Sequence, residues 1–105
     1  MSSKYLDEFL ICLEEERFYD AHEALEHIWF PRRFEDNNEI KLLRGYINAA
    51  VSFELLKRGR KDSAKKVYSN YLKYKLLRLH ISSFHAKKYE EIEQKIENIQ
   101  RSKND

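Results

Sequence analysis

The chain has 105 residues, with two glycines, one proline, one cysteine and a charged fraction of 36%. That length builds one hydrophobic core, and so few turn-forming residues exclude a turn-rich β architecture. The net charge of +2 conceals an acidic front and a basic middle, which keeps a polyanion among the candidate partners.

The first helix is expected from about Lys4 to Glu16, where Tyr5, Leu6, Phe9, Leu10 and Leu13 recur at helical spacing. Cys12 falls in the same stripe and reads as a buried, inert thiol; as the sole cysteine it allows neither an internal disulfide nor a cysteine-paired zinc site. Arg17-Phe18-Tyr19 reads as a tight connection, with Asp20 as the N-cap of a second helix and Glu23 closing a capping box. Helix 2 should stop near Phe30, because Pro31 disfavours a helical residue before it. Arg32 to Asn38 is polar and reads as a solvated loop, with guarding the pocket mouth or binding an anion as the alternative for Arg32 and Arg33. Helix 3 should run from about Asn38 to Lys57 or Arg58, ended by Gly59. Helix 4 is expected from Lys61 to about Leu79, with a break near Ser82 and Ser83 flanked by His80 and His85. Helix 5 follows from about Lys87 to Arg101, on a thin seam of Ile92, Ile96 and Ile99 with a frayed end.

These elements predict an all-α fold: a compact bundle of four to five helices around a central apolar helix 3. Residues 1–105 form one helical domain, with a core over about 4–80 and a C-terminal helix over about 87–101. No stretch approaches the roughly 18 apolar residues that span a bilayer, so a cytoplasmic protein without a membrane partner is expected.

On a helical wheel, Ala21, Ala24, Leu25, Ile28 and Trp29 define the inward arc of helix 2. His22 and Glu26 share its flank one turn apart, while Glu23 and His27 point to solvent. Helix 3 is apolar around most of its circumference, interrupted by a polar strip of Arg44, Asn48 and Ser52 beside Gly45. Gly45 costs a helix about 1 kcal/mol relative to Ala, so a neighbour should pack closely there, and helix 2 is the expected one. Glu54 falls on what should be a buried face, where a carboxylate needs a partner or a proton. The candidate pocket is therefore Tyr19, His22, Glu26, Trp29, Arg44, Asn48 and Glu54, between helices 2 and 3.

At these residues the chain resembles domain-of-unknown-function family 309, small all-helical proteins with a Tyr-x-x-His-Glu-x-x-Glu-x-x-Trp signature on their second helix. Tyr19, His22, Glu23, Glu26 and Trp29 match that signature, and Leu43-Arg44-Gly45-Tyr46-Ile47, Ala49-Ala50 and Gly59-Arg60 follow the family's next helix. Two positions depart: Arg44 stands where the family usually has glutamine, and Glu54 where it usually has histidine. The resemblance covers roughly residues 5–75 and implies the fold but no established activity.

Three functions fit this pattern. The leading one is a non-catalytic binding or assembly protein, its partner a small ligand or another protein. In it, His22 hydrogen-bonds Glu54 or Asn48 and Glu26 pairs with Arg44. The second is a metal-dependent enzyme, a hydrolase, with His22, Glu26 and Glu54 holding a divalent metal ion; the His-Glu-x-x-His motif of zinc proteases is missing. The third is polyanion or RNA binding through helix 4, where Lys65, Lys66 and Lys73 point outward. Tyr68 and Tyr71 share an arc with Ala64, Val67 and Leu72 and read as core. The charge asymmetry and the thin fifth helix both favour a homodimer.

Overall fold

A helix that is apolar on nearly every side must be covered on nearly every side. In the computed structural model of the protein, which describes residues 2–103, that helix is α3 (Asn38–Lys57). Ile40, Leu42, Leu43, Tyr46, Ile47, Ala49, Ala50 and Phe53 along it are buried. Its neighbours α2 (Phe18–Arg32) and α4 (Lys61–Lys75) flank it, α1 (Lys4–Glu14) packs on α2, and α5 (Ala86–Lys103) lies against α1 and α3. A 3-10 turn, Leu76–His80, continues α4. The expected all-α bundle is thus the architecture found. Among the described residues no helix is long and apolar enough to cross a membrane.

Local chemistry sets most boundaries. The Asn37 side chain accepts from the amides of Glu39 and Ile40 at 2.8 and 3.2 Å and starts α3. Gly59, at φ +75°, ends it: the amides of Gly59 and Arg60 bond back to Leu56 and Leu55, which is a Schellman close. The same pair of bonds ends α1, with Glu16 rather than glycine in the left-handed conformation. Lys57 and Lys103 hold that residue, through its carbonyl at 3.0 Å and its carboxylate at 2.8 Å.

Helix α2 departs from expectation at both ends. It begins at Phe18, and Asp20 sits in its first turn as the partner of Arg17 at 2.9 Å instead of capping it. The capping box with Glu23 therefore does not form. Burial of Phe18 against Phe53, with ring centroids 5.2 Å apart, draws the chain into the helix earlier. At the other end α2 runs through Pro31 to Arg32, two residues past the expected stop. Leu72, expected in the core, is 46% exposed, because α4 buries only the arc of Ala64, Tyr68 and Tyr71.

Gly45 does mark a close approach, but by α4 and not by α2. A Cβ built on it would lie 2.7 Å from Cβ of Tyr74, too close for either backbone to keep its place.

Helix α5 is held more firmly than its isoleucines suggest. Tyr89, Ile92 and Ile96 are fully buried, and Glu93 is 93% buried beside them, with 7% of its surface left exposed. The Glu93 carboxylate accepts from the Tyr46 hydroxyl at 2.6 Å and from Arg78 Nε at 2.9 Å. One turn on, Glu97 accepts from the Tyr71 hydroxyl at 2.8 Å and Lys75 Nζ at 2.7 Å. Burial alone would raise the Glu97 carboxyl, yet these two donors hold it below the usual range. The Tyr89 hydroxyl and Ser83 Oγ both donate to Glu39. On its opposite side α5 pairs Lys88 with Asp7 at 2.8 Å, Lys95 with Glu14 at 3.2 Å and Lys103 with Glu16 at 2.8 Å. Part of the acidic and basic asymmetry is therefore answered within the molecule.

Two outcomes check this packing. Gly45→Ala should gain about 1 kcal/mol of helix propensity but lose more to overpacking against Tyr74, typically 1–3 kcal/mol. A lowered melting temperature is expected, and an unchanged or raised one would deny the contact. Burial also raises the phenols of Tyr46, Tyr71 and Tyr89 far above the ordinary value, and that of Tyr68 to about 12. A raised folded-state pKa adds stability below the unfolded value of about 10 and loses it as pH climbs through the folded one. In an alkaline titration followed by tyrosinate absorbance, these four of the seven tyrosines should stay silent until the protein unfolds. All seven ionising together near the ordinary value would contradict it.

Candidate functional site

Lys41, Arg44, Asn48, Val51 and Leu55 recur every three or four residues, so they share one face of α3. This is the strip that α2 and α4 leave open to solvent, and two clefts lie along it. The first, about 390 Å³, is walled by Trp29 of α2 and Arg33 just after it, Asn38, Ile40, Lys41 and Arg44 of α3, Lys73 and Tyr74 of α4, and Leu77. The second, about 200 Å³, is lined by Phe18, Tyr19, His22, Val51, Glu54, Leu55 and Arg58.

Five of the seven residues of the sequence-derived pocket are divided between them, while Glu26 lines a separate cleft with His22 and His27. Trp29 and Arg44 belong to the first cleft; Tyr19, His22 and Glu54 belong to the second. Asn48 stands between, donating to the Arg44 carbonyl at 2.7 Å and accepting from Asn70 at 3.3 Å. Ten residues of helix separate Arg44 from Glu54, about 15 Å along the axis. The residues form a row, not a single pocket.

Their pairing also differs from expectation. Glu26 meets His22 within its own helix, with Oε1 2.6 Å from Nε2, and not Arg44 across the interface. Arg44 is exposed and lies over the Tyr74 ring, 5.8 Å from its centroid. Glu54, expected to be buried, keeps 26% of its side chain exposed and pairs with Arg58 at 3.3 Å. Ser52 is buried and bonds back to the Ala49 carbonyl at 2.7 Å, so it leaves the strip. Tyr19, 55% exposed, presents an edge to the His22 ring, and a hydrogen bond to Glu23 raises its phenol.

These facts bear on chemistry. Among the described residues no three His, Cys, Asp or Glu side chains are grouped to hold a metal ion. The set of His22, Glu26 and Glu54 is not assembled, since Glu54 turns to Arg58. The His22–Glu26 dyad could orient an imidazole for proton transfer, but neither cleft beside it is lined by Ser, Thr, Cys or Lys.

The first cleft is different. Four cations, Arg33, Lys41, Arg44 and Lys73, line it without a carboxylate. Lys41 is shared with Asp36 at 2.9 Å, whereas Arg33, Arg44 and Lys73 make no ion pair among the described residues. Arg33 is sandwiched by Phe30 and Phe34, at 3.7 and 4.4 Å from their centroids, and Lys73 lies 5.5 Å from that of Tyr74. The sequence favours a solvated loop for Arg33 over an anion-binding role, and it does not single out Lys41 or Tyr74 as site residues. The signal available was Gly45, whose need for a close neighbour brings Tyr74 to Arg44. Of the helix-4 lysines, Lys66 and Lys73 are exposed, while Lys65 lines a separate cleft with Gln100 and Lys103, toward α5.

A family model described as a domain of unknown function, DUF309, matches residues 6–67. The chain belongs to the DUF309 family. The matched stretch holds α1, α2, α3 and the first part of α4, and with them both clefts' α2 and α3 walls. Lys73, Tyr74, the 3-10 turn and α5 lie beyond it. Neither curated proteins nor solved structures offer a match to this DUF309 member.

The observed pairing sets what a truncation at Glu26 should do. Because Arg44 is exposed and the lost contact is one intrahelical pair, Glu26→Ala should cost about 0.5 kcal/mol or less. A fall in melting temperature of ten degrees or more, equivalent to roughly 1–2 kcal/mol in a domain of this size, would show that Glu26 holds more than His22.

Proposed function

We propose that this DUF309 protein is a non-catalytic binding protein, and that the 390 Å³ cleft between α2, α3 and α4 takes an anionic ligand with a planar group. One observation carries the reading: four cations converge on a cleft that contains no carboxylate and is walled by Trp29 and Tyr74. Lys41 is paired with Asp36, but Arg33, Arg44 and Lys73 make no ion pair among the described residues, and such cations repel one another, so an anion placed among them is favoured. Arginine adds a planar fork suited to phosphate or carboxylate oxygens, and an aromatic wall suits a flat, weakly polar ring. The cleft is large enough for a small ligand.

Trp29 is the only tryptophan, so its fluorescence reports on the cleft directly. Titration with ATP at low salt should give a saturable change. Arg44→Glu should weaken it at least tenfold, about 1.4 kcal/mol, and added salt should weaken it further. Absence of a saturable change with ATP and with inorganic triphosphate would overturn the reading.

A further inference from the structure

The open strip of α3 continues onto α4. Lys66, Asn70 and Lys73 recur every three or four residues, so at 100° per residue they occupy one arc of about 60°. Asn70 donates to Asn48 across the seam between the two helices at 3.3 Å, and Tyr74 seats against Gly45. These contacts set that arc of α4 beside Arg44 and Asn48 of α3. Lys66 and Lys73 are both exposed, and neither makes an ion pair among the described residues. Asp62, the one carboxylate of α4, lies with Lys65 on the side toward α5. A cationic track therefore leaves the Trp29 cleft and runs from Lys73 to Lys66, about 10 Å along α4. Between its ends lie the paired amides of Asn48 and Asn70.

We propose that a single-stranded nucleic acid lies along the α3–α4 seam, with a base against Trp29 and Tyr74 and phosphates on Arg44, Lys73 and Lys66. The inference rests on the reading of the cleft as a site for a planar anion and extends it from one nucleotide to several. A repeating polyanion is the ligand that uses cations spaced beyond a single cleft, and aromatic walls accept any base because every base has a stacking face. A duplex is disfavoured, since its bases are stacked inside and cannot reach Trp29. Neither the amides nor the lysines distinguish ribose from deoxyribose, so both sugars are expected to bind.

The test compares UMP with uridine oligonucleotides of two, four and eight residues, for the protein and for Lys66→Glu. Trp29 fluorescence registers stacking in the cleft, and anisotropy of 3′-fluorescein oligomers registers binding anywhere on the chain. Affinity should rise at least tenfold from UMP to the tetramer. Lys66→Glu, whose fold is checked by circular dichroism, should weaken the tetramer several-fold and leave UMP unchanged. UMP binding as tightly as the tetramer, or a tetramer indifferent to Lys66→Glu, would overturn the strand and leave the cleft reading intact. Oligomer binding without a change at Trp29 would also overturn the strand. No binding of ATP, UMP or any oligomer would overturn both.

Discussion

A carboxylate in the interior has to be held by donors from several directions, and Glu93 is so held. It accepts from Tyr46 at the middle of α3 and from Arg78 in the 3-10 turn. Those two bonds connect the central helix, the end of α4 and α5 at one point. They also account for the tight turn after Lys75, which brings Arg78 back towards the core instead of letting α4 run on. Removing either donor would leave the Glu93 carboxylate under-compensated in a low-dielectric site, a change that typically costs about 1–3 kcal/mol. The position of α5 follows, and with it which sides of α3 remain open.

The distribution of charge follows the same division. Lysines on one side of α5 meet the acidic residues of α1, and glutamates on its other side meet Lys75 and Arg78. These pairs absorb part of the contrast between the acidic front and the basic middle of the chain. Among the described residues Arg33, Arg44, Lys66 and Lys73 make no ion pair, and these four lie along the face of α2, α3 and α4. An uncompensated group of cations beside aromatic rings is a binding feature, whereas the same residues distributed among carboxylates would be a structural one.

The features legible in the sequence were those set locally. The limits of α3 came from a polar residue before an apolar run and a glycine after it. The burial of Cys12, Tyr68 and Tyr71 followed from helical spacing. What escaped was set by partners distant along the chain. Tyr46 and Glu93 are 47 residues apart, and Glu93 alone reads as a surface charge on a thin helix. Gly45 revealed that something packs closely but not which helix, since a missing Cβ admits a neighbour from either side. Glu26 and Arg44 have opposite charges on adjacent helices and seem natural partners, yet His22, one turn away on the same helix, is nearer. The seven candidate pocket residues do not share one site: helical rise puts five of them in two clefts, and Glu26 and Asn48 line neither.

The central claim is that α5 seals one side of the bundle while the α2–α3–α4 side binds. Backbone and indole amide resonances, followed by NMR during a titration with ATP, test it most directly. The expected result is a set of shifts at Trp29, Arg33, Arg44, Lys73 and Tyr74, with α5 unmoved. Shifts centred on α5, or confined to the His22 cleft, would contradict it.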